Sequence, residues 1–110
     1  MIGKRVVGVS ILWSLVVILA GGCCDKEALP RMKRSLYSQK SSERNEAALA
    51  LSRCGKHAKD IVPRLISMLY DENVGVQSSA AYALREIDTP EARRALEQAQ
   101  AMREKRRQRR

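Results

Sequence analysis

Few residues in this chain of 110 have side chains and spacings that could carry chemistry. There is one histidine, His57, and there are three cysteines, Cys23, Cys24 and Cys54. One histidine and one isolated cysteine are too few for an ordinary zinc site, which takes three or four protein ligands. The sequence contains no glycine-rich phosphate loop. No serine or cysteine stands at a recognisable spacing from a base that could activate it. We therefore predict a non-enzymatic protein without a metal or cofactor.

The chemistry that the N-terminus does predict is covalent processing. Lys4 and Arg5 precede an apolar run from Val6 to Ala20, and two glycines then lead to Cys23. A basic start, an apolar run and small residues are typical of a secretory signal. The stretch LAGGC ending at Cys23 resembles the lipobox of bacterial lipoproteins. This resemblance implies cleavage before Cys23, a diacylglyceryl group on its sulfur, and a location in the cell envelope.

Two other interpretations of this segment remain open. Residues 6–24 are 19 uncharged residues in a row, which is long enough for an uncleaved single-pass anchor. A cleaved signal could also release a soluble secreted protein. All three interpretations place residues 25–110 outside the cytoplasm and near a membrane.

The cysteines do not suggest a disulfide framework, because Cys23 and Cys24 are adjacent and Cys54 stands alone. We interpret Cys54 as a small buried hydrophobe, and His57 as an exposed turn residue. The alternatives for Cys54 are a reactive thiol or a partner for Cys24.

The net charge of +9 is concentrated at the C-terminus. Residues 103–110 contain one acid and six basic residues, which are Arg103, Lys105, Arg106, Arg107, Arg109 and Arg110. Such a run attracts anionic lipid head groups or nucleic acid. Nucleic acid conflicts with an exported protein, so we favour lipid as the ligand of this tail. The simpler alternative is a solvated helix end.

These residues must be positioned by elements that repeat every 33 residues. Residues 28–55 align with residues 61–88 without a gap, and eight of the 28 pairs are identical. The clearest matches are Leu36-Tyr37 with Leu69-Tyr70 and the alanine-rich stretch 47–51 with 80–84. A fixed period of this length predicts stacked helix pairs. Lys33 and Ser35 replace the apolar Ile66 and Met68, and this polar start favours a short, complete stack.

Each repeat unit is predicted to contain two helices. In the second unit we expect one from Lys59 to Tyr70, with Pro63 near its start, and one from Val74 to Ile87, capped by Asn73. Gly55 is expected to end the equivalent helix of the first unit. Thr89 and Pro90 start a further half-unit. The predicted buried stripes are Val76, Ala80, Ala83, Leu84 and Ile87, then Ala92, Ala95, Leu96, Ala99 and Met102.

Residues 58–88 resemble a HEAT repeat, specifically the short type of phycobilisome-lyase relatives. The matching motifs are Val62-Pro63-x-Leu65, Leu69-x-Asp71, Val76 and the alanine core at 80–84. The resemblance implies an arginine after the Val76-type position that packs against the preceding turn. Arg44 supplies it in the first unit. Gln77 replaces it in the second, where we expect looser packing.

The fold class that follows is all-α, a short α-α superhelix of about two and a half helix pairs behind an N-terminal hydrophobic segment. On the second helix of each unit, Leu49 and Tyr82 are predicted to be exposed one period apart. Asn45 and Arg85 lie on the same face. We name Leu49 and Tyr82 the ridge, and treat these four residues as the candidate partner-binding site, since exposed aromatics favour interfaces.

We therefore predict a signal peptide or membrane anchor over residues 1–22, a tether over 23–27, repeats over 28–102 and a basic tail over 103–110. The repeats divide into 28–55, 61–88 and a half-repeat at 89–102. The predicted function is an exported, membrane-tethered protein-interaction module with an unidentified protein partner. A second copy of the chain could also complete so small a core. The alternative is a basic membrane-surface or nucleic-acid-binding protein acting through its tail.

Overall fold

The computed structural model describes residues 24–110. The predictions for residues 1–22 and the proposed lipidation of Cys23 therefore lie outside the described part. Within residues 24–110 the chain is helical and has no strand, which confirms the all-α prediction. The α-helices are α1 (Leu29–Ser35), α2 (Ser41–Ser52), α3 (Val62–Met68), α4 (Val74–Ile87) and α5 (Pro90–Gln108), and a 3₁₀ helix (Gly55–Ile61) precedes α3.

The helices stack as antiparallel pairs, α1 with α2 and α3 with α4, followed by α5. The second helices α2 and α4 pack side by side, and α3 packs against α5. The stack therefore has two opposite edges. We call the edge with residues 36–40 and 69–73 the turn edge, and the edge with residues 53–54 and 88–89 the loop edge. Helix α4 joins them with 14 residues, or about 21 Å of helix.

Leucines and alanines on the inner faces of the helices make the core. Leu36, Leu51, Leu65 and Leu84 are fully buried, and alanines at 48, 80 and 83 allow close approach of neighbouring helices. The predicted stripe of α4 is buried throughout. On α5, Ala92, Ala95 and Ala99 are buried, but the prediction that Met102 continues this stripe is wrong, since its side chain is 58% exposed.

The helix ends follow local sequence signals. Asn73 accepts a hydrogen bond from the Val76 N–H, and Thr89 accepts one from the Ala92 N–H, which confirms both N-caps. The helix expected from Lys59 starts as α only at Val62. The cause is Pro63, which has no N–H to bond the Lys59 carbonyl, so the preceding residues form the tighter 3₁₀ turn instead.

In both units a residue in the left-handed backbone conformation follows the second helix. Gly55 has φ of +49°, and Asp88, one period later, has φ of +52°. Glycine takes this left-handed conformation without steric cost, and aspartate is among the few other residues that adopt it. Helix α2 ends at Ser52, so Gly55 lies beyond the helix end as the start of the 3₁₀ turn.

The interpretation of Cys54 as a free buried cysteine is wrong. Cys54 forms a disulfide with Cys24, and their Cα atoms are 4.7 Å apart. The bond attaches the first described residue to the end of the first helix pair, so residues 25–27 are fixed at both ends and are not a free tether. The alternative prediction, in which Cys54 is the partner of Cys24, is confirmed.

Reduction of this disulfide should destabilise the stack. The two cysteines are 30 residues apart, and opening a loop of that length costs about 3–4 kcal/mol of folding free energy in the chain-entropy model. We expect that loss in urea unfolding followed by circular dichroism, both with dithiothreitol and in Cys24→Ser. A Cys23→Ser variant is the control and should unfold like the wild type. Equal stability with and without reductant would contradict the expectation.

Candidate partner-binding surfaces and the turn edge

A buried arginine joins the two repeat units at the turn edge. The Nε and Nη2 atoms of Arg44 donate to the two carboxylate oxygens of Asp71 at 3.0 and 3.1 Å. Its Nη1 atom donates to the carbonyl oxygens of Ser38 and Gln39 at 2.8 and 3.0 Å. Both ion-pair side chains are about nine-tenths buried. One guanidinium therefore closes the turn of its own unit and anchors the turn of the next.

The same geometry keeps the Asp71 carboxylate ionised. Burial by itself would raise the pKa of Asp71, but the hydrogen bond from Arg44 opposes it. The backbone N–H of Asn73 also donates to this carboxylate, and the charges of Arg44 and Arg64 favour ionisation. The net result is a pKa of Asp71 below its ordinary value.

Gln77 takes the place of Arg44 in the second unit and keeps its hydrogen bond to the preceding turn. Its Nε2 atom donates to the Asp71 carbonyl oxygen at 2.5 Å, and its Oε1 atom accepts from Arg103 at 3.3 Å. The turn expected to be looser therefore keeps one side-chain bond to its own backbone. What Gln77 loses is the charge and the bidentate reach of the arginine.

A second arginine also crosses from one unit to the other. The Nε and Nη2 atoms of Arg64 donate to the Leu36 carbonyl oxygen at 3.2 and 2.8 Å, at the end of α1. The same guanidinium lies 4.5 Å from the centre of the Tyr37 ring, in a cation–π contact. Arg64 of the second unit therefore donates to a carbonyl at the end of α1, which has no partner within that helix.

The two residues of the ridge are exposed on neighbouring helices. Leu49 on α2 is 41% exposed and Tyr82 on α4 is 48% exposed. Arg85 is exposed one turn further along α4. Because α2 and α4 pack side by side, the ridge is a surface shared by both repeat units.

Asn45 has a different environment from the other candidate residues. It is half-buried, and its side-chain oxygen accepts a hydrogen bond from the Ser79 hydroxyl on α4. Asn45 therefore contributes a contact between the second helices. It does not form part of the exposed ridge. Ser52, the counterpart of Arg85, is buried and donates its hydroxyl to the Leu49 carbonyl.

The basic C-terminal residues lie on a helix. Helix α5 runs from Pro90 to Gln108, beyond the predicted half-repeat, and the side chains from Arg103 to Arg110 are all exposed. Since α5 begins at the loop edge, its basic second half lies at the turn edge, where Arg103 contacts Gln77.

Residues 24–110 contain neither a metal-binding cluster nor a membrane-spanning helix. No group of three or more histidine, cysteine, aspartate or glutamate side chains there is arranged to hold a metal ion. No helix in that part is both long and apolar enough to cross a bilayer.

A family model described as HEAT repeats matches residues 40–110, which is well over half of the chain. The chain therefore belongs to the HEAT repeat family, whose members generally serve in protein interaction or scaffolding. No curated protein sequence matches the chain significantly, so the comparisons supply no particular activity or partner.

Both Arg44 and Asp71 were singled out from the sequence, but the ion pair that they form was not predicted. Arg44 was expected to contact the preceding turn, and Asp71 was noted as part of the Leu69-x-Asp71 turn. The useful signal was their separation of 27 residues, which the Lys33–Asp60 ion pair shares. In both pairs the basic residue lies on a helix of the first unit, and the aspartate lies outside the α-helices, 27 residues later.

The lowered pKa of Asp71 makes stability depend on pH in a defined direction. An aspartate whose pKa is depressed by folding stabilises the native state above its unfolded pKa, and loses that contribution as pH falls through the folded pKa. The free energy of unfolding should therefore fall between about pH 5 and pH 2. Asp71→Asn should flatten this dependence and cost about 3 kcal/mol at pH 7, because the Arg44 charge stays buried without a partner.

The matched control for this experiment is Asp60→Asn, which removes the exposed end of the Lys33–Asp60 pair. It should cost less than about 1 kcal/mol at pH 7. Urea unfolding at a series of pH values gives both quantities. An Asp71→Asn variant with the wild-type acid dependence would show that Asp71 is not the responsible group.

Proposed function

We propose that the chain is a non-catalytic protein-interaction module, exported and held at a membrane of the cell envelope, with the ridge as its contact surface. The observation that carries the proposal is the repeat itself: two second helices lie side by side, and Leu49 and Tyr82, one period apart on them, are both exposed. The family gives the general role, and the ridge is the site we assign to it. The resemblance to the phycobilisome-lyase type stays a prediction about the subfamily.

Two features support the membrane tether. The sequence before Cys24 has the layout of a signal with a lipobox-like end, and a lipid-modified Cys23 would be adjacent to a residue that the disulfide fixes to the fold. Structural disulfides persist in oxidising compartments outside the cytoplasm, so the Cys24–Cys54 bond agrees with export. The single-pass anchor is the alternative form of the same tether.

The ridge is suited to a protein partner by its composition. Leu49 and Tyr82 are apolar or aromatic, and Arg85 adds a long, exposed cation beside them. Aromatic residues and arginine are enriched where proteins bind each other, and leucine adds apolar area. The alternative function, an anionic-lipid or nucleic-acid contact through the tail, is supported by the exposure of every basic residue in 103–110.

A photo-crosslinking amino acid at Tyr82 tests the ridge in the cell. If the ridge contacts a protein, irradiation should produce a defined higher-mass adduct of the chain in the membrane fraction. The same amino acid at Glu91, exposed at the start of α5, is the matched control and should produce no such adduct. Leu49→Ser should reduce the Tyr82 adduct several-fold, as expected for an apolar contact next to the probe. Equal adducts from positions 82 and 91 would contradict the ridge.

Intact-mass spectrometry of the chain from membranes tests the tether. A mature chain that begins at Cys23 and carries the mass of a diacylglyceryl group is the expected result. An intact Met1 would identify the uncleaved anchor, and an unmodified chain lacking residues 1–22 would identify the soluble secreted form. Cys23→Ser is the control, and it should abolish the lipid mass without disturbing the Cys24–Cys54 bond.

A further inference from the structure

The two tyrosines that end the first helices of the repeat units have different surroundings. The guanidinium of Arg64 makes a cation–π contact with the ring of Tyr37, which stays largely exposed, and also bonds the Leu36 carbonyl. One period later the equivalent pair is Leu69 and Tyr70, and the residue at the position of Arg64 is Glu97. A glutamate carboxylate can neither donate to the Leu69 carbonyl nor stack as a cation on the tyrosine ring. The second unit therefore lacks the guanidinium contact that the first unit has.

A cleft of about 120 Å³ lies at this place on the turn edge. Leu69, Ala99 and Met102 give it apolar surface, Tyr70 gives an aromatic one, and Arg103 and Arg106 give it positive charge, with Gln77 the remaining lining residue. Tyr70 is 54% exposed. We call this the Tyr70 cleft. A cleft of this size can receive one side chain of a ligand.

The charges around the cleft select the sign of the ligand. Arg103 and Arg106 are three residues apart on α5 and so share one face of that helix. Within residues 24–110 neither of them forms an ion pair. Two guanidinium groups next to an apolar pocket favour a carboxylate attached to an apolar neighbour, because guanidinium groups bind carboxylates through paired hydrogen bonds. A cationic ligand at this position, which corresponds to that of Arg64 in the first unit, would be repelled by Arg103 and Arg106.

We propose that the Tyr70 cleft binds an acidic segment of a protein partner, with a carboxylate between Arg103 and Arg106 and an adjacent apolar side chain on Tyr70 and Met102. The choice of protein over lipid rests on the membrane tether of the proposed function. The tether enters at the Cys24–Cys54 bond on the loop edge, whereas the cleft is on the turn edge, one helix length away. The cleft is therefore separated from the point of attachment by about the length of one helix.

The test uses the full chain reconstituted in nanodiscs of neutral phosphatidylcholine. The probe is a fluorescent peptide of alternating glutamate and leucine, and its binding is followed by fluorescence anisotropy. The doubly substituted variant Arg103→Gln, Arg106→Gln should bind about tenfold more weakly, as expected for the loss of charge-assisted hydrogen bonds. Tyr70→Ala should also weaken binding several-fold. A peptide with lysine in place of glutamate should not bind.

The matched control is the variant Arg107→Gln, Arg109→Gln, which removes the same charge from the same C-terminal segment outside the cleft. It should keep binding within about twofold of the wild type, since exposed charges at a distance contribute little. Circular dichroism verifies that each variant is folded. Equal losses in the two double variants would overturn the cleft and leave only the general charge of the tail.

Two further outcomes separate this inference from the proposals above. If Arg103 and Arg106 are needed to float the protein with phosphatidylglycerol vesicles, and the peptide does not bind, the ligand is a membrane and the inference is wrong. Ridge variants Leu49→Ser and Tyr82→Ala should bind the peptide normally. Failure of the Tyr82 crosslink with intact peptide binding would reject the ridge alone, and the reverse result would reject the cleft alone.

Discussion

The stack depends on one buried guanidinium, that of Arg44. A buried charge is costly unless every donor finds an acceptor, and Arg44 meets that condition only when two successive turns are in place. Its Nη1 needs the carbonyl oxygens of Ser38 and Gln39, and its other nitrogens need the Asp71 carboxylate. Apolar contacts between the leucine and alanine faces have little directional preference, whereas the hydrogen bonds of Arg44 require one alignment of the two units. Arg44 therefore fixes which residues of the two units lie opposite each other.

The regular part of this fold was accessible from the sequence because it repeats. The period placed α4 at its correct ends, and Asn73 and Thr89 marked helix starts through side chains that act only on their own backbone. Contacts between units were harder to predict. The replacement of Arg44 by Gln77 suggested looser packing, yet the amide bonds the same turn. Asn45 was placed on an outer face by helical periodicity, whereas the close approach of α2 and α4 brings it to Ser79.

The ends of the chain were the least predictable. Nothing in the spacing of three cysteines favoured one pairing, and the Cys24–Cys54 bond follows from where α1 and α2 bring the chain back at the loop edge. The exposure of Met102 has a similar origin. A stripe continues along a helix only while a neighbouring helix covers it, and in the described structure no helix lies over this part of α5.

The disulfide also has a mechanical consequence. A pull on the chain through residue 24 passes across the Cys24–Cys54 bond and enters the stack at Cys54. Residues 25–53, which include α1 and α2, lie inside the closed loop and are not extended by that pull. Tension between the N-terminal segment and a load held by α4 or α5 is thus borne by the second unit and by its contacts with the first. Reduction of the bond would transfer the same tension to α1, the short first helix, which has no buried residues.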